Sequence, residues 1–269
     1  MTNHRVAPPP VVPPWTGTPR RVHDLTPAEV GAALRADPRL LLPVGALAPH
    51  GPHLPLGTDT LLVDRIADDL SAASGVLRAP TVTYGINAPT ARPAPGAATL
   101  RKKTLHRLLN DLLNAWEDGG VEEFVLLTTH QNDPHQEALA TVVTARARVR
   151  VVDVLGVDVS DLLEGQDGPM HGDEVDTSLM LHLAPALVHG STARDNMVPR
   201  ETLRRFRTGR RPASDHDAAP LFGRPSLANA EKGARIYARF VERVATRVLG
   251  VAAAPPPPTG TLPEAGGTM

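Results

Sequence analysis

Apolar positions along the chain fall into short continuous runs separated by stretches of helical period, an alternation that predicts an α/β domain. Leu40–Val44 is an apolar run of strand length, and Pro80–Tyr84, Val121–Thr128 and Arg148–Val154 supply three more. Phe124, Val125, Leu126 and Leu127 leave no polar face, the mark of a strand buried on both sides. Between the runs the period changes. Thr26-Pro27-Ala28-Glu29 joins a capping box to a proline at the first helical position, opening a helix to about Ala36. Thr58 or Asp59 caps a second helix with Leu62, Ile66 and Leu70 on one stripe. The most regular helix covers Thr99–Asp118, with Leu105, Leu108, Leu109, Leu112, Leu113 and Trp116 on one side and Gly119-Gly120 at its end. Asp133, Pro134 and Gln136 occupy the cap, first and third positions of a helix to about Ala145. Ser160–Glu164 predicts a helical turn and Gly165–Met170 a loop. The segment opened by His171 runs as a helix through Leu179, Leu181 and Leu183 to Val188, and Glu231–Leu249 is the last helix, stopped by Gly250. Residues 85–98 read as a Pro/Gly loop, and residues 189–229 as irregular chain rich in Arg and Pro.

Strands alternating with helices place helices on both faces of a mainly parallel central sheet, whose ligands collect beyond the carboxyl ends of the strands. Composition narrows this picture. The 269 residues are 41% hydrophobic and 21% charged, an ordinary globular make-up with a formal net charge of −1. That balance gives no electrostatic case for nucleic-acid or membrane partners. No run is long enough to span a membrane, and residues 1–20 lack the apolar core of a signal peptide, so a cytoplasmic setting is expected. With no cysteine, disulfides and thiolate metal sites are excluded. Residues 1–20 and 251–269 read as Pro-rich tails, extended at 7–14 and 254–258, on either side of one domain over 21–250.

The candidate chemistry lies at the two strand ends. After Leu40–Val44 comes a loop stiffened by Pro and Gly that carries His50, His53 and Asp59, and after Val121–Thr128 comes His130. A parallel sheet brings these loops together, so His50, Asp59 and His130 form a two-histidine, one-carboxylate set suited to Zn, Mn or Fe. A divalent ion there could bring the pKa of its water down to about 7 and make hydroxide available at neutral pH. His171 and Asp176 open a later helix and add an imidazole for a developing oxyanion and a carboxylate for metal or water. His53 is read as a backbone-bonding residue of its loop, Asp133 and Asp173 as helix caps, Arg101-Lys102-Lys103 as a solvated face, and the arginine pairs at 204–205 and 210–211 as surface charge.

The stretch Leu42-Pro-Val-Gly-Ala-Leu-Ala-Pro-His50-Gly-Pro-His-Leu-Pro-Leu-Gly-Thr-Asp59 resembles the opening motif of the creatininase family of metal-dependent amidohydrolases. Tyr84-Gly85 with Pro95-Gly96, Val125–Asp133 and His171–Ser178 resemble its later blocks in the family's order, so the match covers roughly residues 22–190. The resemblance implies a three-layer α/β/α fold, usually oligomeric, with two divalent metals bridged by one aspartate. It also implies hydrolysis of non-peptide C–N bonds such as cyclic amides and formamides; some relatives cleave modified peptides. His50 and His130 match ligand histidines, Asp59 the bridging carboxylate and His171 the histidine near the substrate carbonyl. Ala48 stands where the family has a glutamate ligand, Asn132 where creatininase itself has one, Asp176 replaces a glutamate, and Gly172-Asp173 replaces Ala-Gly.

Two readings follow. In the first the protein is a hydrolase with one or two metals per chain on His50, Asp59, His130 and Asp176. Metal-bound hydroxide attacks an amide carbonyl, assisted by His171 and Asp176, in a homo-oligomer acting on a small molecule. In the second, motivated by Ala48, it is a catalytically impaired binding or scaffold protein.

Overall fold

Alternate residues of the two longest-buried strands point to opposite cores, and this alternation sets the layers. Among the described residues four strands, β1 (Arg39–Pro43), β2 (Leu77–Arg78), β3 (Glu123–Thr128) and β4 (Arg148–Asp153), hydrogen-bond in the order β2-β1-β3-β4, every pair parallel. The computed structural model describes residues 17–90, 94–209 and 220–252; both Pro-rich segments and Arg210-Arg211 lie outside them. Among the described residues seven α-helices surround the sheet: α1 (Pro27–Ala36), α2 (Thr58–Ser74), α3 (Lys102–Asp118), α4 (Asp133–Ala140), α5 (Glu174–Leu183), α6 (Arg200–Arg207) and α7 (Ala230–Arg247). Leu40 and Leu42 of β1 and Phe124 and Leu126 of β3 pack with α1, α3 and α4. Leu41, Val125 and Leu127 pack on the other side with α2, α5 and α7. The result is a three-layer α/β/α sandwich with a wholly parallel described sheet.

Sequence expectation and structure part company where a local signal outweighs apolar pattern. The strand expected over Pro80–Tyr84 lies earlier, at Leu77–Arg78, because Pro80 has no N–H for a ladder; only Val82 pairs, singly, with Val44. Helix α4 stops at Ala140 instead of about Ala145. The β-branched run Thr141-Val142-Val143-Thr144 follows, and the buried Glu117 carboxylate gathers the N–H groups of Ala145, Arg146 and Ala147 at 2.5–2.9 Å. Helix α5 ends at Leu183 because Pro185 forces Ala184 out of the helical region, to φ −149°. Within the stretch read as irregular, Arg200–Arg207 forms a helix.

An ion network fixes the edge of the sheet. Asp68 of α2 accepts from Arg21 (2.6 and 3.0 Å) and from the buried Arg78 of β2 (2.8 Å), which also donates to Asp64. Another, within the layer of α2, α5 and α7, joins buried Glu174 at the start of α5 to Lys232 of α7, whose Nζ also donates to the Leu227 carbonyl at 2.7 Å.

Candidate metal centre

The neighbouring strands β1 and β3 end side by side, and the chain beyond each builds one half of the site. Beyond β1, the loop from Val44 to Gly57 carries His50 and delivers Asp59 into the first turn of α2. Beyond β3, Thr129–Asn132 carries His130 before α4 begins. Thr129 Oγ1 donates to the Asp59 carbonyl at 3.0 Å, binding the two halves. His50, Asp59 and His130 are 2%, 2% and 5% exposed, so the charges are taken almost wholly out of water.

Each oxygen of the Asp59 carboxylate faces one imidazole. Oδ1 lies 3.4 Å from His50 Nε2, and Oδ2 lies 2.7 Å from His130 Nδ1. The other nitrogen of each ring faces a backbone carbonyl: His50 Nδ1 lies 3.0 Å from Ala48 O, and His130 Nε2 lies 2.8 Å from Ile86 O. A carbonyl oxygen only accepts, so each ring donates there and turns its remaining nitrogen to the carboxylate. Two lone pairs facing a carboxylate across each gap require a cation between them, either a proton or a metal ion. Burial disfavours the imidazolium of His50, but Asp59 outweighs burial and raises its pKa to about 9. Burial likewise opposes ionisation of Asp59, and the two imidazoles overcome it, holding its pKa far below the usual carboxylate range.

This donor set is chemically that of a divalent ion, with the ring N–H to carbonyl bonds that orient ligand histidines. Among the described residues no three His, Asp or Glu side chains form a ready cage; Asp59 pairs with the two imidazoles separately. Ala48, buried and lining the cleft, adds no carboxylate. Asn132 accepts from His135 N through Oδ1 at 3.3 Å as the N-cap of α4, leaving its NH2, a donor unable to ligate a cation. Asp133, expected to cap, is the first residue of the helix instead. The side chains left to meet a cation here are His50, Asp59 and His130.

His171 and Asp176 come from the start of α5. The His171 ring stacks at 4.4 Å from that of His50, and its Nε2 donates to Pro49 O at 2.9 Å. Burial, reinforced by His50, holds its pKa well below 6.5, so the ring is neutral with Nδ1 as its lone-pair nitrogen. This tautomer offers Nδ1 as a proton acceptor. Asp176, the fourth expected ligand, accepts from Gly172 N at 2.8 Å, and burial with Asp173 raises its pKa to about 7. Asp173 caps α5 as expected, accepting from Val175 and Asp176 N–H at 3.0 and 2.9 Å. Gly172 has φ +64°, and a Cβ there would lie 2.9 Å from His50 O, so the turn that seats His171 beside His50 requires glycine. His53 is tied to α5 by Thr177 Oγ1, 2.8 Å from its Nε2, rather than to its own loop.

Three contributors lie outside the motifs singled out in the sequence. His135 is fully buried, and its Nδ1 accepts from Ile86 N at 3.3 Å, fixing the residue whose carbonyl orients His130. Phe206 of α6 lies 4.8 Å from His171 and edge-on to Phe222 at 5.0 Å, and it lines the cleft. Asn87 joins Ala48, His130, Gln131, Asn132 and His171 in lining it. The signal for α6 was present: Pro199 before it, Leu203 and Phe206 three apart, and Gly209 after it.

The family model Creatininase, creatinine amidohydrolase, matches residues 23–248. The chain is 29% identical to the mycofactocin precursor peptide peptidase of Mycolicibacterium smegmatis over 248 residues, 87% of this chain and 89% of the relative. A solved creatininase described as Mn superposes with TM-score 0.70 at 25% identity, covering 86% of this chain and 97% of that one. A creatininase variant of the Zn-Zn type gives 0.69 at 26%, covering 85% and 96%. The chain belongs to the creatininase family, a family of metal-dependent hydrolases.

Proposed function

We propose that the protein hydrolyses the C–N bond of a small amide-type substrate in the cleft, using one divalent ion held by His50, Asp59 and His130. The observation that carries this reading is the Asp59 carboxylate, each oxygen set against an imidazole nitrogen whose sister nitrogen faces a backbone carbonyl. When bound, a Zn or Mn ion there supplies Lewis acidity and an activated water. Neutral His171 takes a proton from the attacking water on Nδ1 and returns it to the departing nitrogen. Its stacking on His50 and its bond to Pro49 O keep it beside the ion's ligands. Asp176 holds the Gly172 N–H, and with it the turn that presents His171. Phe206 and the loop at Asn87–Ala88 shelter the reacting carbonyl from bulk water. The missing carboxylates at Ala48 and Asn132 favour a single ion over a bridged pair.

The test is amine release from a panel of lactams, formamides, cyclic ureides and short peptides in the presence of Zn or Mn, run beside Asp59→Asn. Turnover of at least one class, lost by about 10³-fold or more in the variant, is expected; turnover unaffected by Asp59→Asn refutes the site.

A further inference from the structure

Phe206 is the one buried residue of α6, and the arginines of this helix fall on one side of it: Arg200, Arg204 and Arg207 stand at i, i+4 and i+7, a single stripe. Residues 194–224 carry eight arginines against four acids in a chain whose net charge is −1, so positive charge is concentrated on the segment that supplies Phe206 and Pro220 to the cleft. Neighbouring carboxylates do not use it up. Glu201 is shared by Arg204 at 2.8 Å and Arg205 at 3.0 Å, one carboxylate for two guanidinium groups. Arg200 meets Asp167 at 3.2 Å with both side chains 93% exposed, a contact worth little in water. Arg207 forms no ion pair among the described residues; its Nη2 donates to Pro169 O at 2.6 Å, two residues before His171. Asp153 and Asp173 act on Arg207 only through space, because they accept instead from Gln131 Nε2 and from the N–H groups of Val175 and Asp176. The stripe therefore keeps a positive surplus, and it runs from open solvent at Arg200 to the His171 side of the cleft at Arg207.

We propose that the α6 stripe is a docking surface for an extended acidic peptide segment, whose carboxylates meet Arg200 and Arg204 and whose chain passes Arg207 toward the cleft. Spacing selects this class. Arg200 and Arg204 are separated by a rise of about 6 Å along the helix. Side chains on one face of an extended peptide repeat at about 6.6 Å, so acidic residues at alternate positions reach successive arginines. Each guanidinium offers a planar fork that matches a carboxylate, which adds geometry to the charge. A single small anion meets one guanidinium and leaves the others unanswered. A single-stranded nucleic acid needs rings on which to stack its bases, and the rings beside the stripe, Phe206 and Phe222, are buried against each other. The surface lies apart from His50, Asp59 and His130, so docking requires neither the ion nor turnover.

The experiment is fluorescence anisotropy of a labelled Glu-Ala-Glu-Ala-Glu-Ala peptide, beside its Gln-Ala-Gln-Ala-Gln-Ala counterpart, with the full chain and no added metal. Arg200→Gln with Arg204→Gln removes two charges from the stripe, and Arg107→Gln with Arg243→Gln removes two from exposed positions of α3 and α7. Glutamine is a good helix former, so both variants fold. Arg207 is left in place because it holds the segment before His171. The Glu peptide should bind about tenfold or more tightly than the Gln peptide, lose about fivefold or more in the stripe variant, and stay within about twofold in the α3/α7 variant. Its binding should weaken as salt is raised. Equal binding of the two peptides overturns the proposal, as does no binding of the Glu peptide at millimolar concentration. An equal loss in both variants overturns it too, by making the attraction a matter of net charge. Tighter binding of an oligothymidylate of matching charge does the same, by making the surface one for nucleic acid.

Discussion

Asp59 takes its role from what surrounds it. At the start of a helix an aspartate is ordinarily a cap or a favourable charge for the dipole, and here it is the shared partner of two imidazoles from different loops. His130 in turn is held by a short relay, from His135 Nδ1 to Ile86 N and from Ile86 O to His130 Nε2. Gly85 makes that relay possible, since a Cβ there would sit 2.8 Å from His135 Nδ1. Ala48 tests whether the ion is limited by ligand number. Ala48→Glu places a carboxylate in the cleft beside the His50 half of the site and should tighten zinc binding by about tenfold or more, measured by competition with a chromogenic chelator. Unchanged affinity would show that position 48 does not face the ion. The first motif was legible because His50 and Asp59 sit at a fixed spacing along one stiff loop. His135 and Asn87 were not, because they act by holding peptides far away in sequence.

At the scale of elements, β1, β3, α3 and α7 were readable because apolar runs and helical stripes are local properties of the chain. The short β2 was misplaced because two residues of ladder leave little pattern, and a proline beside it determines where pairing stops. Helix α6 was hidden among arginines, yet it places Phe206 against His171. Phe206→Leu keeps apolar bulk but loses the ring, and Phe206→Ala opens the wall. Both should fold, the second with a loss of about 3 kcal/mol in urea melts. Amine release should fall in both, more in Ala, with kcat affected along with KM because His171 loses its support. Unchanged kcat in both would reduce α6 to a structural appendage.

For the whole molecule, the three layers hold the strand ends in register, and the ion network at the sheet edge couples residues 17–25 to α2 and β2. Burial alone would raise the Asp68 pKa, and hydrogen bonds from Arg21 and Arg78 reverse this and hold it below the usual carboxylate range. An unfolded aspartate titrates near about 3.9, so below that pH the unfolded chain binds more protons than the folded one. The contribution is full above about pH 5 and drains away as pH falls through the folded value. Asp68→Asn should therefore destabilise by about 2 kcal/mol at pH 7, with the gap to wild type closing toward pH 3 in urea midpoints. A gap independent of pH would place the stabilisation elsewhere. The family-level architecture was legible in the order of motifs, because strand-end loops of a parallel sheet must meet. The tautomer of His171 was not, because it depends on one bond to Pro49 O that no sequence pattern encodes.

The most direct measurement is amine release by chelator-stripped protein as Zn or Mn is added back, using whichever substrate the panel identifies. Activity should be absent in the stripped chain, rise in proportion to added metal, level off near one ion per chain, and stay absent in Asp59→Asn. Hydrolysis that survives stripping, or that Asp59→Asn retains, would contradict a metal-dependent centre built on His50, Asp59 and His130.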